Sequence, residues 1–142
     1  MGRFFRVLLL AMLATAMAST SAVAAKAKQR GKLEQLQNAY ATSIRWGDFE
    51  SAWQAVDPAY REEHPMTELE LERYQQVQVS GYRDISTGVE PDQTVFRTIE
   101  LRVINKHTMA ERTMRYRERW RWDPETKHWW LVVGLPDLWA GE

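Results

Sequence analysis

There is no cysteine among these 142 residues. That excludes disulfides, thiolate nucleophiles and cysteine-ligated metals. An oxidising compartment permits disulfides without requiring them, so export stays open. Net charge is absent too, with 19 Lys and Arg against 19 Asp and Glu. A dedicated nucleic-acid binder needs a basic surface, so nucleic acid is excluded as the partner. No Gly-rich phosphate loop, nucleophile elbow or Ser-His-Asp arrangement occurs, and nothing marks a cofactor site. The three histidines, His64, His107 and His128, lack the helix-face spacing of a metal site.

What is present begins with an export pattern. Arg3 and Arg6 precede an apolar run from Val7 to Ala14, and Ala22-Val23-Ala24 is an A-x-A cleavage pattern, with Ala16-Met17-Ala18 a second. This predicts a signal peptide over 1–24 and a periplasmic or secreted protein. The run is too short and too rich in small residues for a membrane span, so the mature form is expected not to cross a membrane. Residues 25–31, small, basic and unpatterned, read as a flexible leader, and 32–139 as one domain. Losing Arg3 and Arg6 leaves two fewer basic than acidic residues, and a chain of this size buries roughly two-thirds of its unfolded surface.

Within the domain the apolar period is first helical. Leu33, Leu36, Tyr40 and Ile44 recur at spacings of three and four, one face of a helix from Lys32 to Trp46. Gly47 ends it, and Asp48 caps a second helix carrying Phe49, Trp53 and Val56, which stops at Asp57-Pro58. Thr67-Glu68-Leu69-Glu70 is a capping box, with Met66 and Leu71 as its hydrophobic staple, so a third helix is expected over 68–75.

Beyond Gln75 the period becomes two. Val77 and Val79 alternate with polar residues, Gly81 suggests a bulge, and 86–92 reads as a loop. Val95, Arg97, Ile99, Leu101 and Val103 mark one side of a second strand. A four-residue turn at Lys106–Met109 sets Leu101 opposite Met114, Ile99 opposite Tyr116 and Arg97 opposite Glu118. Glu100 then faces Arg115 on the other side, an opposite-charge pair. A turn after Asp123 sets Trp120 opposite Leu131 and Trp122 opposite Trp129, with Arg121 beside Trp130 for a cation–π contact. The expected fold class is α+β: three N-terminal helices packed on a curved antiparallel sheet of about four strands.

Helices followed by such a meander resemble the nuclear transport factor 2-like superfamily, over about Leu33 to Leu135. The marks are Tyr40 through Trp46-Gly47-Asp48-Phe49, then Asp57-Pro58-Ala59-Tyr60, then Trp120-Arg121-Trp122-Asp123 with Trp129-Trp130-Leu131. The resemblance implies a cystatin-like cone with a pocket on the concave side of the sheet. Set against its ketosteroid isomerase-like members, Tyr40 takes the place of the first-helix tyrosine. His64, before Pro65, takes that of the aspartate base, and Glu118 that of the protonated aspartate. Two of these three residue types differ, so the resemblance implies converging polar groups rather than that activity.

Each site residue admits two readings. Glu118 breaks the apolar face of its strand, where a carboxylate costs several kcal/mol unless neutralised or paired. It is either a pocket acid or the ion-pair partner of Arg97. His64 is a general base or a solvent-exposed loop residue. Tyr40 aims its hydroxyl into a cavity or completes the helix stripe. Trp53, Tyr60, Tyr74, Arg97, Tyr116 and Trp120 line a ligand pocket, or the aromatic ones fill the interior solid. The arginines at 115, 117, 119 and 121 bind an acidic partner or form a solvated face. Three functions follow: a binder of a small apolar molecule in the cone, a proton-transfer isomerase or dehydratase using His64, Tyr40 and Glu118, or a module that forms a homodimer through Trp130 and Val132.

Overall fold

The computed structural model describes residues 2–139, with side chains from Thr20 onward. Most of the expected signal peptide therefore lies outside the described side chains. The chain divides into two units, 1–35 and 36–142. The first is helical from Gly2. Residues 25–31, expected to be a flexible leader, belong to that helix, because Ala, Lys, Gln and Arg are strong helix formers and Gly31 alone opposes them. Among the described residues no helix is long and apolar enough to cross a membrane.

The second unit begins within the same helix, α1 (Gly2–Trp46). Gly47, at φ 74°, ends it. Its N–H reaches the Ile44 carbonyl and that of Asp48 reaches Ser43, a Schellman closure that only an unhindered left-handed residue allows cheaply. Three short helices follow: α2 (Phe49–Trp53), α3 (Pro58–Glu63) and α4 (Glu68–Tyr74). The second expected helix thus ends four residues before Asp57-Pro58, and a helix absent from the sequence reading begins there. Asp57 caps it through the Ala59 N–H and Pro58 sits in its first turn, the position where a missing N–H costs nothing. At α4 the capping box is present in both directions, Thr67 to Glu70 and back.

Four antiparallel strands follow in sequence order: β1 (Val77–Val89), β2 (Val95–Asn105), β3 (Glu111–Asp123) and β4 (His128–Leu131). Every expected cross-strand pair is observed, including Arg97 opposite Glu118, Glu100 opposite Arg115 and Trp120 opposite Leu131. β1 runs further than expected, pairing through Val89, so 86–89 is strand and the loop is only the turn before Val95. It is long because extra residues, Ser80 and Ile85, are absorbed as bulges at the two register shifts.

The interior is closed by Ile44, Phe49, Val56, Ile99, Leu101, Trp120 and Leu131, all at most 1% exposed. The two sheet edges differ. β4 is covered by the chain after α2, with Leu131 donating to the Ala55 carbonyl and Asp57 donating to that of Leu131. Among the described residues β1 has no strand on its outer side.

Candidate functional site

Alternation along β3 carries Glu118 inward, and the side chain is completely buried. An isolated carboxylate there would be expensive, yet both oxygens are occupied by donors. Arg97 donates through Nε to Oε2 and through Nη2 to Oε1, each at 3.0 Å. The Trp120 indole N–H donates to Oε2 at 2.9 Å, and the Tyr82 hydroxyl donates to Oε1. Arg97 also donates to the Tyr82 oxygen at 3.2 Å and lies 3.9 Å from Asp84. Burial pushes the Glu118 carboxyl above the usual carboxylate range, and the Trp120 bond pulls the other way. The fork of the Arg97 guanidinium adds to that pull, since a charged donor pair favours the ionised carboxylate. Of the two readings of Glu118, the geometry is that of the paired one.

Tyr82 was missing from the sequence reading. The Ser80 bulge puts Val79 and Tyr82, three apart, both opposite inward residues of β2, Val103 and Leu101. Gly81 was the available signal, but only counting the extra residue through the bulge would have turned Tyr82 inward.

Tyr40 is 2% exposed and packs edge-on against Trp120 at 5.7 Å. Its hydroxyl lies 3.1 Å from that of Tyr116, which donates to the Gly134 carbonyl at 2.9 Å. Tyr116 has one proton to give, so Tyr40 is the donor between the two. Burial raises Tyr40, helped by the neighbouring Tyr116 and Glu118, and burial raises Tyr116 as well, so both stay neutral donors. Tyr74, pushed up to about 12 by burial and Asp137, donates to the Pro136 carbonyl at 3.1 Å. Tyr60 lies against Gly134, where an added Cβ would come within 2.7 Å of its hydroxyl. Three of the residues expected to line a pocket, Tyr60, Tyr74 and Tyr116, thus close on the chain's own segment 132–139, whose Pro136 and Leu138 are buried. Trp53 meets Tyr60 edge-on at 6.2 Å.

His64 stands apart from this cluster. It is exposed at the end of α3, stacked on Tyr60 at 4.3 Å, with Nδ1 3.2 Å from the Tyr60 carbonyl. Tyr40 and Glu118 are brought together in the interior and His64 is left at the surface. Among the described residues no group of three or more His, Asp or Glu could hold a metal ion.

On the outer sheet face three of the four ladder arginines are engaged within the chain. Arg119 pairs with Glu90 at 2.6 Å, Arg117 covers the Phe96 ring at 3.9 Å, and Arg121 binds Asp57. Arg121 lies opposite Trp130 as expected, but its guanidinium goes to Asp57 while the Trp130 ring meets His128 at 4.3 Å. Glu100, opposite Arg115, is bonded by Arg83 at 2.8 Å.

An open space lies elsewhere. A groove of about 680 Å³ runs between the end of α1 and the start of β1, lined by Arg45, Trp46, Gln75, residues 77–81 and Lys106. Val77 and Val79 are buried beneath it, while Trp46 is 83% exposed. Arg45 donates to the Tyr82 carbonyl at 2.9 Å, and its guanidinium lies over the Tyr82 ring. The sequence carried one hint of it: Trp46 is off the Leu36-Tyr40-Ile44 stripe, so a large aromatic was left without a core to enter. No protein family, curated protein or solved structure matches the chain.

Proposed function

We propose that this chain is an exported, non-catalytic binding protein whose small-molecule ligand sits in the groove between α1 and β1. One contrast carries the reading. The inward carboxylate that pointed to a pocket beneath the sheet is spent on Arg97, Tyr82 and Trp120, while the groove beside β1 is open. A proton-transfer site would need His64 within reach of Tyr40 and Glu118, and its exposed place on Tyr60 argues against that. The small ligand expected from the sequence is retained and its place moves. Export rests on the Arg3, Arg6 and Ala22-Val23-Ala24 pattern. The order of helices before a four-strand meander supports the likeness to the nuclear transport factor 2-like cone.

Native mass spectrometry of protein purified from its own host tests this reading. Ser80 lines the groove with an exposed side chain, so Ser80→Trp fills it without entering the core. A retained small molecule in the wild type that is lost in Ser80→Trp, with circular dichroism unchanged, is the expected result. A ligand kept by Ser80→Trp and lost on Tyr116→Phe would move the site under segment 132–139 and overturn the assignment.

A further inference from the structure

We infer that the groove between α1 and β1 selects a planar aromatic ligand carrying a small anionic group such as a carboxylate. This rests on the groove being the binding site and goes on to its chemistry. The lining holds two cations, Arg45 and Lys106, and no Asp or Glu. Arg45 spends one of its five N–H donors, on the Tyr82 carbonyl. That bond and the Tyr82 ring hold the guanidinium in place. A fixed fork loses less freedom on meeting a carboxylate than a free one does. Lys106 is anchored at its backbone, where its N–H reaches the Gln76 carbonyl. Among the described residues its ammonium has no partner. The opposing term is the carbonyl end of α1 at Gly47, worth about half a negative charge, and two full positive charges outweigh it.

The aromatic half of the assignment comes from Trp46. A tryptophan 83% exposed at a helix end is a large apolar plane left in water. It lines the same groove as the buried Val77 and Val79 and offers an apolar plane on which a flat ring can stack. Gln75, whose side-chain amide donates to the Gly47 carbonyl at 3.3 Å, ties the α4 end of the groove to the turn after α1. The polar groups that remain in the lining, Gln78 and Ser80, are neutral.

The test uses 2-naphthoate as probe and its uncharged amide, 2-naphthamide, as control, read by NMR on the Trp46 indole N–H. That resonance is assigned by its loss in Trp46→Ala. Naphthoate is expected to shift it at low salt and to bind about tenfold more weakly in Lys106→Met, the loss of one charge contact. Naphthamide is expected to bind more weakly than naphthoate and to be indifferent to Lys106→Met. Lys106 reaches no core residue through its side chain, so the variant keeps its fold. Equal binding of the two probes, or a naphthoate affinity unchanged by Lys106→Met, overturns the anion inference and leaves the groove reading standing. The groove reading fails by its own measurement, when the host-derived ligand survives Ser80→Trp.

Discussion

The Arg97 guanidinium grips both carboxylate oxygens of Glu118, one from Nε and one from Nη2, across a cross-strand pair at the centre of the sheet. Arg97 is 8% exposed and Glu118 is fully buried, so solvent screens neither charge. Removing one partner strands the other. Arg97→Met or Glu118→Leu alone should each cost about 3–5 kcal/mol, while the double variant recovers most of that loss. Urea denaturation of the four proteins closes the cycle. A double variant as unstable as the worse single one would show that the pair does more than neutralise itself.

The same pair sets a pH dependence. Burial already raises the Glu118 carboxyl in the wild type. Replacing Arg97 with methionine removes the charged donor and leaves only Tyr82 and Trp120 to pull it down, so it rises further. A carboxyl raised above its unfolded value of about 4.3 holds its proton to higher pH in the folded state. Its contribution is therefore full below about pH 4 and is lost as pH rises through the folded value. The stability gap between wild type and Arg97→Met should be narrowest at acid pH, where both proteins hold the Glu118 proton, and widen as pH rises through the raised wild-type value. Denaturation midpoints from about pH 4 upward into the alkaline range decide it. A constant gap would mean that replacing Arg97 leaves the Glu118 titration where it was.

Tyr116 stands between two partners, accepting from Tyr40 and donating to Gly134. Tyr116→Phe takes the partner from the buried Tyr40 hydroxyl and from the part-buried Gly134 carbonyl, whereas Tyr40→Phe leaves Tyr116 bonded to Gly134. The first should cost about 1–3 kcal/mol and the second less, since an orphaned polar atom costs more than a hydrogen bond contributes. Amide exchange along 134–138 should accelerate in Tyr116→Phe only. Equal acceleration in both variants would contradict the direction of the relay.

The capping box at α4 is a local device on a seven-residue helix. Thr67→Ala should lower stability by about 1 kcal/mol. Thr67→Asn should restore most of it, because its side-chain oxygen can still accept from the Glu70 N–H. Thermal melts of the three proteins are enough to see it.

What was legible in the sequence was parity. From Val95 to Leu131 the period of two, with two short turns, predicts each partner across three strands, and Arg97 meets Glu118 where counting puts them. Helix starts with side-chain caps, at Asp48 and Thr67, were legible for the same reason: the signal lies within four residues. Asp57-Pro58 was misread because proline ends one helix and opens another equally well, and only the Asp57 cap on Ala59 decides. The end of β1 was hidden because Ser86 and Gly88 look like a loop locally, yet pair with Thr98 and Phe96 once the extra residue Ile85 is counted. The groove and the closure of segment 132–139 on the tyrosines depend on residues distant in sequence, which no spacing rule brings together.

Ser80 has a consequence of its own. It is the unpaired residue at the first register shift of β1, between Val79 opposite Val103 and Gly81 opposite Arg102. Excising it would leave those two pairs adjacent and in step, so the ladder would survive its loss intact. What would disappear is the local bend it puts into the edge strand beside Trp46. The strand ladder depends on its being extra and not on its side chain, which lies in the groove lining instead. A substitution at this position can fill the groove, but only an insertion or deletion here can change its backbone curvature while keeping every strand partner.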